Sequence, residues 1–169
     1  MKPEDYNLSS GYLYASNPWG DSFYKIYEKM NYTAAEAQCR SDGTFLAVPR
    51  FEEENNFIAD LSTAETWIGV NDLQEEGKYV TAEGDLSYTN WGNWQPDNKL
   101  HSNGYDEDAV TVNSRSSKHG YWNDVPFVNL YPFVCLYRTT QSTTSAPGAI
   151  IIENTKTSMD RNEFRGNKK

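Results

Sequence analysis

Between Asp72 and Asp124, four short stretches concentrate side-chain oxygens beside glycine, proline or tryptophan. They are Asp72-Leu73-Gln74-Glu75-Glu76-Gly77, Trp94-Gln95-Pro96-Asp97-Asn98, Asp106-Glu107-Asp108 and Trp122-Asn123-Asp124. Singly, each reads as a solvated turn. Gathered in about 55 residues of loop-rich chain, they suit a hard cation. Calcium takes about six to eight oxygen ligands, and amides and carboxylates from separate loops supply them. A bound metal also explains how so long a loop region keeps one shape, since its binding energy is available to order the loops.

Other chemistries fail on inventory. Zinc calls for Cys or His at ligand spacing, and the two histidines, His101 and His119, stand apart. There is no nucleophile motif, phosphate loop or dinucleotide fingerprint. A pair of carboxylates such as Glu107 and Asp124 could serve a glycosidase. Here, however, they come with the amides of Gln95, Asn98 and Asn123, which coordinate rather than transfer protons, so no enzymatic activity is expected.

The elements that must position these loops lie on either side of them. Phe23-Tyr24-Lys25-Ile26-Tyr27 reads as a strand. Thr33-Ala34-Ala35-Glu36 has the form of a capping box and predicts a helix that carries Cys39 and stops at Gly43. A second helix is expected after Pro49, with Phe57, Ile58, Leu61 and Glu54 on one face and Glu52, Glu53 and Asn56 toward water. Trp67-Ile68-Gly69-Val70 is a short buried strand, and Tyr131 to Tyr137 a closing one. Between them, Leu86 to Trp91 and Ala109 to Val112 interrupt the loops. Trp67, Trp91, Trp94 and Trp122 are expected in the core or in loop cores.

The chain has 169 residues and an aromatic content of 14%, enough for one folded domain and a short appendage. Its net charge is −9, although the stretch from Thr139 onward holds five basic and three acidic residues, so the acidity belongs to the body. Such a surface repels phosphate backbones and anionic lipid, which argues against nucleic-acid and membrane-surface partners. No run approaches the roughly 20 apolar residues of a membrane span. The start carries no recognisable signal peptide. The two cysteines, Cys39 and Cys135, are compatible with two buried thiols or one bridge. Sequons at Asn7 and Asn31 lean toward a secretory setting. The Thr/Ser-rich run after Thr139 reads as a linker or flexible tail.

The order Cys39, Trp67-Ile68-Gly69, Asn90-Trp91, Gln95-Pro96-Asp97, Trp122-Asn123-Asp124, Cys135 resembles a C-type lectin domain of the Gln-Pro-Asp, galactose-type subgroup. The resemblance runs from about Phe23 to Arg138. It divides the chain into an N-terminal extension (1–22), the lectin domain (23–138) and a tail (139–169). It implies an α+β fold with two helices, two small antiparallel sheets and a long calcium-binding loop. It also implies a Cys39–Cys135 bridge; closing a loop near 100 residues stabilises by roughly 4–5 kcal/mol in the chain-entropy model.

The resemblance further implies a principal Ca2+ site of Gln95, Asp97, Glu107, Asn123 and Asp124, with a cis peptide before Pro96. A second, structural site would use Asp72, Glu76, Asn98, Asp108 and the main chain of Glu107. Sugar contacts would come from Gln95, Asp97, Glu107 and Asn123, with His101 and Tyr105 of the variable loop as further candidates. The expected partners are glycans ending in galactose or N-acetylgalactosamine, bound by a secreted or extracellular domain with room to form oligomers. The alternative is a lectin-like domain that binds a protein, or ice, through the same loops.

Two departures from the family pattern stand out. The inner disulfide that usually braces the loop has lost both partners, replaced by Ala109 and Phe127, which are expected to pack together. Lys99 stands two residues after Asp97, where galactose-binding relatives often have Trp.

Overall fold

The computed structural model describes residues 11–17, 20–115 and 117–139. The Asn7 sequon and nearly all of the Thr/Ser-rich tail lie outside them. The elements run β1 (Leu13–Asn17), β2 (Gly20–Met30), α1 (Tyr32–Ser41), β3 (Phe45–Leu46), α2 (Glu52–Asp60), β4 (Thr66–Asn71), β5 (Val80–Thr81), β6 (Gly84–Asp85), β7 (Ala109–Val112), β8 (Trp122–Val125) and β9 (Tyr131–Arg138).

Two antiparallel groups of strands meet at one parallel step. β1, β2, β9 and β3 form the first, with β2 and β9 in register from Ser22↔Arg138 to Tyr27↔Phe133. β4, β5, β6, β7 and β8 form the second. Trp67 of β4 pairs with Phe133 of β9 in parallel and joins them. β1 lies in the stretch read from sequence as an N-terminal extension, yet Leu13 to Asn17 pair with Tyr24 to Gly20.

The first helix starts two residues earlier than its capping-box pattern suggests. Asn31 is the cap, its Oδ1 accepting from Ala34 N at 2.9 Å, and Thr33 Oγ1 donates to that same oxygen. The Asn side chain satisfies an N–H that has no partner inside the helix. The second helix has no side-chain cap at Phe51. Instead, Glu54 reaches back to Arg50 N at 2.8 Å. Glu54 is buried and also accepts from Tyr24 OH at 2.8 Å and pairs with Arg138 at 3.0 Å. The buried carboxylate is thus paired and hydrogen-bonded, as its desolvation requires, and it ties α2 to β2 and β9.

Cys39 of α1 and Cys135 of β9 form a disulfide. Around it packs one apolar cluster with Tyr32, Ala35, Trp67, Ala109 and Phe133. A second cluster gathers Tyr24, Ile58, Ile68, Val70, Val110, Val112, Trp122 and Val134. Gly69 sits where β4 passes β3. A Cβ there would stand 2.5 Å from the Leu46 carbonyl oxygen, so only glycine allows the close approach.

Leu86 to Asn90 form no strand. Trp91 makes a single bridge to Trp122, bracketed by Trp122 N to Asn90 O at 2.8 Å and Gly92 N to Trp122 O at 2.9 Å. Among the described residues no helix is long and apolar enough to cross a membrane.

Candidate functional site

The site grows from β8. Trp122 is fully buried, its indole N–H donating to Asn55 Oδ1 of α2 at 2.7 Å, and its backbone holds the Asn90–Gly92 segment on the other side. The rigid tryptophan fixes the two residues that follow it, Asn123 and Asp124. The chain after Gly92 then makes a tight turn, Gln95 N bonding to Gly92 O at 3.1 Å, and the Gln95–Pro96 peptide is cis.

Asp124 is completely buried and organises the segment after Pro96. Its Oδ1 accepts from Asp97 N at 3.2 Å and its Oδ2 from Asn98 N at 2.8 Å. Glu107, also buried, takes Lys99 N at 3.1 Å on Oε2, while His101 Nε2 lies 2.7 Å from its Oε1. Asn98 closes the circuit by accepting from Glu107 N at 3.3 Å. Two buried carboxylates from distant parts of the chain therefore hold one loop by its backbone N–H groups.

The consequence is a concentration of negative charge. Asp97, Glu107 and Asp124 each present a carboxylate oxygen, all within 4.8 Å of one another. Burial raises the pKa of Glu107 above the ordinary carboxylate range; the His101 and Lys99 bonds oppose the shift, while Asp97 and Asp124 add to it. Tyr79 OH lies 3.4 Å from Asp124 Oδ2, and burial together with Asp124 and Asp72 pushes its phenol up.

A second acidic group lies alongside. Glu76, Asp106 and Asp108 also bring carboxylate oxygens within 4.8 Å. Asp72 is 1% exposed; its Oδ2 accepts from Gly77 N at 2.9 Å and its N–H donates to Asp108 O at 3.0 Å. Burial raises its pKa to about 6, against the Gly77 bond and with help from Glu76 and Asp108.

Both groups fit a cation by the same physical test. Among the described residues, Gln95 Oε1 and Asp72 Oδ1 are buried without a hydrogen-bond partner. Buried oxygens of this kind are rarely left unpaired. Asp72 is also repelled by Glu76 and Asp108, and Gln95 precedes Asp97 across Pro96; a divalent ion would remove the cost of both.

The structure thus brings together Asp97, Glu107 and Asp124, while Gln95 and Asn123 line a cleft with Glu65, Asn113, Lys118 and Tyr121. It brings together Glu76 and Asp108, near Asp72. Asp106, part of the acidic stretch Asp106-Glu107-Asp108 but in neither ligand set that the resemblance implied, joins that second group. Asn98 uses its side-chain oxygen on Glu107.

The ring of Tyr105 packs edge to face on Phe127 at 5.5 Å, and Ala109 lies in the cluster against which Phe127 packs. Trp94 is the clear correction among the aromatics: it is 93% exposed rather than in a loop core. Its φ of 68° places it in a left-handed turn that carries the side chain away from Trp91, which packs on Tyr79 and Trp122.

The chain belongs to the C-type lectin domain family: residues 28–137 match the family described as "Lectin C-type domain". It is 34% identical over 123 residues to C-type lectin domain family 4 member F of Mus musculus, covering 69% of this chain and 21% of that protein. It is 34% identical over 119 residues to Collectin-10 of Xenopus tropicalis, covering 67% of this chain and 40% of the other. The chain thus spans between a fifth and two fifths of the length of these curated relatives.

Among solved structures, it resembles a trimeric Kupffer cell C-type lectin receptor with TM-score 0.67 and 32% identity, over 78% of this chain and 85% of that one. A herring type II antifreeze protein shares the fold at TM-score 0.65 and 23% identity, over 78% and 98%.

Proposed function

We propose that this domain is a calcium-dependent carbohydrate-binding lectin with a preference for galactose or N-acetylgalactosamine. The observation that carries the proposal is the convergence of Asp97, Glu107 and Asp124, together with a Gln95 oxygen that is buried without a partner. Gln95, Asp97, Glu107, Asn123 and Asp124 would hold the principal Ca2+. Asp72, Glu76, Asp106 and Asp108 would hold a second, with Asn98 and the main chain of Glu107 at its border. The ion, when bound, supplies a positive centre to which two neighbouring sugar hydroxyls coordinate.

The chain's own residues then choose the sugar. A carboxylate only accepts hydrogen bonds, while an amide also donates. Gln95 and Asp97 therefore offer a fixed order of donor and acceptor across Pro96. In the family, this order accompanies the axial 4-hydroxyl of galactose, and the reverse order, Glu and Asn, accompanies mannose. Charge is the same in both, so selectivity is geometric.

The disulfide and the sequon at Asn31 support a secreted or extracellular setting, and the similar trimeric receptor supports oligomer formation. The fold is shared with an antifreeze protein, so fold alone does not choose between sugar and ice, and competition by free sugars is the measurement that does. Competition by free galactose and mannose for a calcium-loaded surface, with and without chelator, tests the proposal. Galactose should compete better, and only with calcium; equal competition, or indifference to chelator, would refute it.

A further inference from the structure

The sequon Asn31-Tyr32-Thr33 lies where β2 ends and α1 begins. Its asparagine amide is divided between two tasks. The oxygen is in use: Oδ1 accepts from Ala34 N at 2.9 Å and from Thr33 Oγ1 at 3.1 Å, and so caps α1. The nitrogen is not: among the described residues Asn31 Nδ2 makes no hydrogen bond. Asn31 is partly exposed and Thr33 exposed. A substituent on Nδ2 leaves the amide oxygen as an acceptor, so it leaves the cap in place.

The middle residue is held quite differently. Tyr32 is completely buried. Its N–H donates to Phe127 O at 2.9 Å, its hydroxyl accepts from Asn71 Nδ2 at 3.0 Å, and its ring meets Trp67 edge to face at 5.4 Å. A transferase has to draw the Asn amide and the Thr hydroxyl into one site with the peptide between them open. The folded domain keeps that peptide closed, so any modification of Asn31 has to come before folding. The topology leaves time for it. β2 pairs with β9, and α1 is bridged to β9 through Cys39 and Cys135, which are 96 residues apart. At about 5–20 residues per second, β9 is made roughly 5–20 s after α1, and until then neither contact can close over the sequon.

We propose that Asn31 is an N-glycosylation site, modified while the chain is still open, with the glycan on Nδ2 and α1 capped by Oδ1. The donor is an oligosaccharide carried on a polyisoprenyl pyrophosphate. Nδ2 attacks the anomeric carbon of its first sugar, the bond from that carbon to the pyrophosphate oxygen breaks, the lipid pyrophosphate leaves with the electron pair, and Nδ2 gives up one proton. The site rests on the extracellular setting proposed above and not on calcium or on sugar preference.

The test is cell-free translation of the full chain, behind a cleavable secretion signal, in the presence of microsomes. Asn7→Gln is made throughout, so that Asn31 is the one sequon left. Chains protected from added protease should run at higher mass, and peptide-N-glycosidase should remove the shift. Thr33→Ser should keep the shift. Thr33→Val, which leaves the Asn31 cap, and Asn31→Asp, which supplies another good cap, should each abolish it. Offered afterwards to solubilised transferase and lipid-linked donor, the folded, bridged domain should stay unmodified, while the reduced and unfolded chain should accept the glycan. Protected chains without the shift, or a shift that survives Thr33→Val or Asn31→Asp, would overturn the site. Equal modification of folded and unfolded chain would overturn the order of events. Neither result bears on calcium-dependent sugar binding, which the competition by free sugars tests separately.

Discussion

Tyr105 and Phe127 meet edge to face with ring centroids 5.5 Å apart, joining the long loop to the turn after β8. Phe127 is itself anchored, its carbonyl accepting from Tyr32 N of α1 at 2.9 Å. Phe127 stands where the family pattern carries the second cysteine of the inner disulfide, so a ring contact supports the loop where a covalent one is usual. A ring pair contributes about 0.5–1.5 kcal/mol beyond area burial. Tyr105→Ala should lower stability by about that much, and by more in chelator than in calcium, while Tyr105→Leu should recover part of it. Denaturant unfolding with and without calcium measures both. Equal losses in the two conditions would mean that the contact does not brace the loop.

The metal-free and calcium-loaded proteins should respond to acid in opposite directions. The folded-state pKa of Asp72 is raised from 3.8 to about 6, first by burial, and Glu107 and Asp108 are raised too. A carboxyl with a raised folded pKa contributes stability that is fully present below its unfolded value and is lost as pH rises through the folded one. Without calcium, these groups should therefore make the domain more stable as pH falls from about 6 toward 4. With calcium, protons compete for the same oxygens, and the stabilisation by metal should fade over that range. Melting curves at pH 5 and pH 7.5 in chelator and in calcium decide it. Parallel pH trends in the two series would contradict the site.

The Cys39–Cys135 bridge spans 96 residues. Replacing both cysteines with alanine should cost roughly 4–5 kcal/mol in the chain-entropy model, a large share of a typical domain's roughly 5–15 kcal/mol. Denaturant titration of the double variant checks the magnitude. A loss under about 1 kcal/mol would mean that the sheet holds α1 to β9 without the bridge.

Exchanging acid and amide across Pro96, Gln95→Glu with Asp97→Asn, should reverse the sugar ranking from galactose toward mannose without abolishing calcium binding. The change keeps the charge and every oxygen ligand. Competition by free sugars on both proteins measures the ranking, and an unaltered order would mean that specificity lies elsewhere on the loop.

Where residue pattern mirrors burial, the elements were legible. The aromatic and β-branched runs of β2, β4 and β9 alternate or bury as strands, and α2 puts Ile58 and Glu54 inward. The acidic site was legible because its ligand types cluster in the chain as well as in space. Trp94 was not, because exposure there is set by a left-handed turn rather than by side-chain type. β1 was missed because Leu13 to Asn17 is only five residues long and lies in a turn-rich stretch, and its pairing with β2 makes it a strand. The helix start moved to Asn31 because Asn and Thr both cap, and the choice depends on the entry path from β2.

Calorimetric titration of Ca2+ into the chelator-treated domain, followed by titration of methyl β-galactoside, tests the central claim most directly. Calcium should bind to the wild type, and the sugar should bind only after it. Asp124→Asn should sharply weaken both, since Asp124 holds the loop and faces Asp97 and Glu107. Sugar binding of equal strength in chelator, or calcium and sugar affinities untouched by Asp124→Asn in a folded variant, would contradict a calcium-centred lectin site.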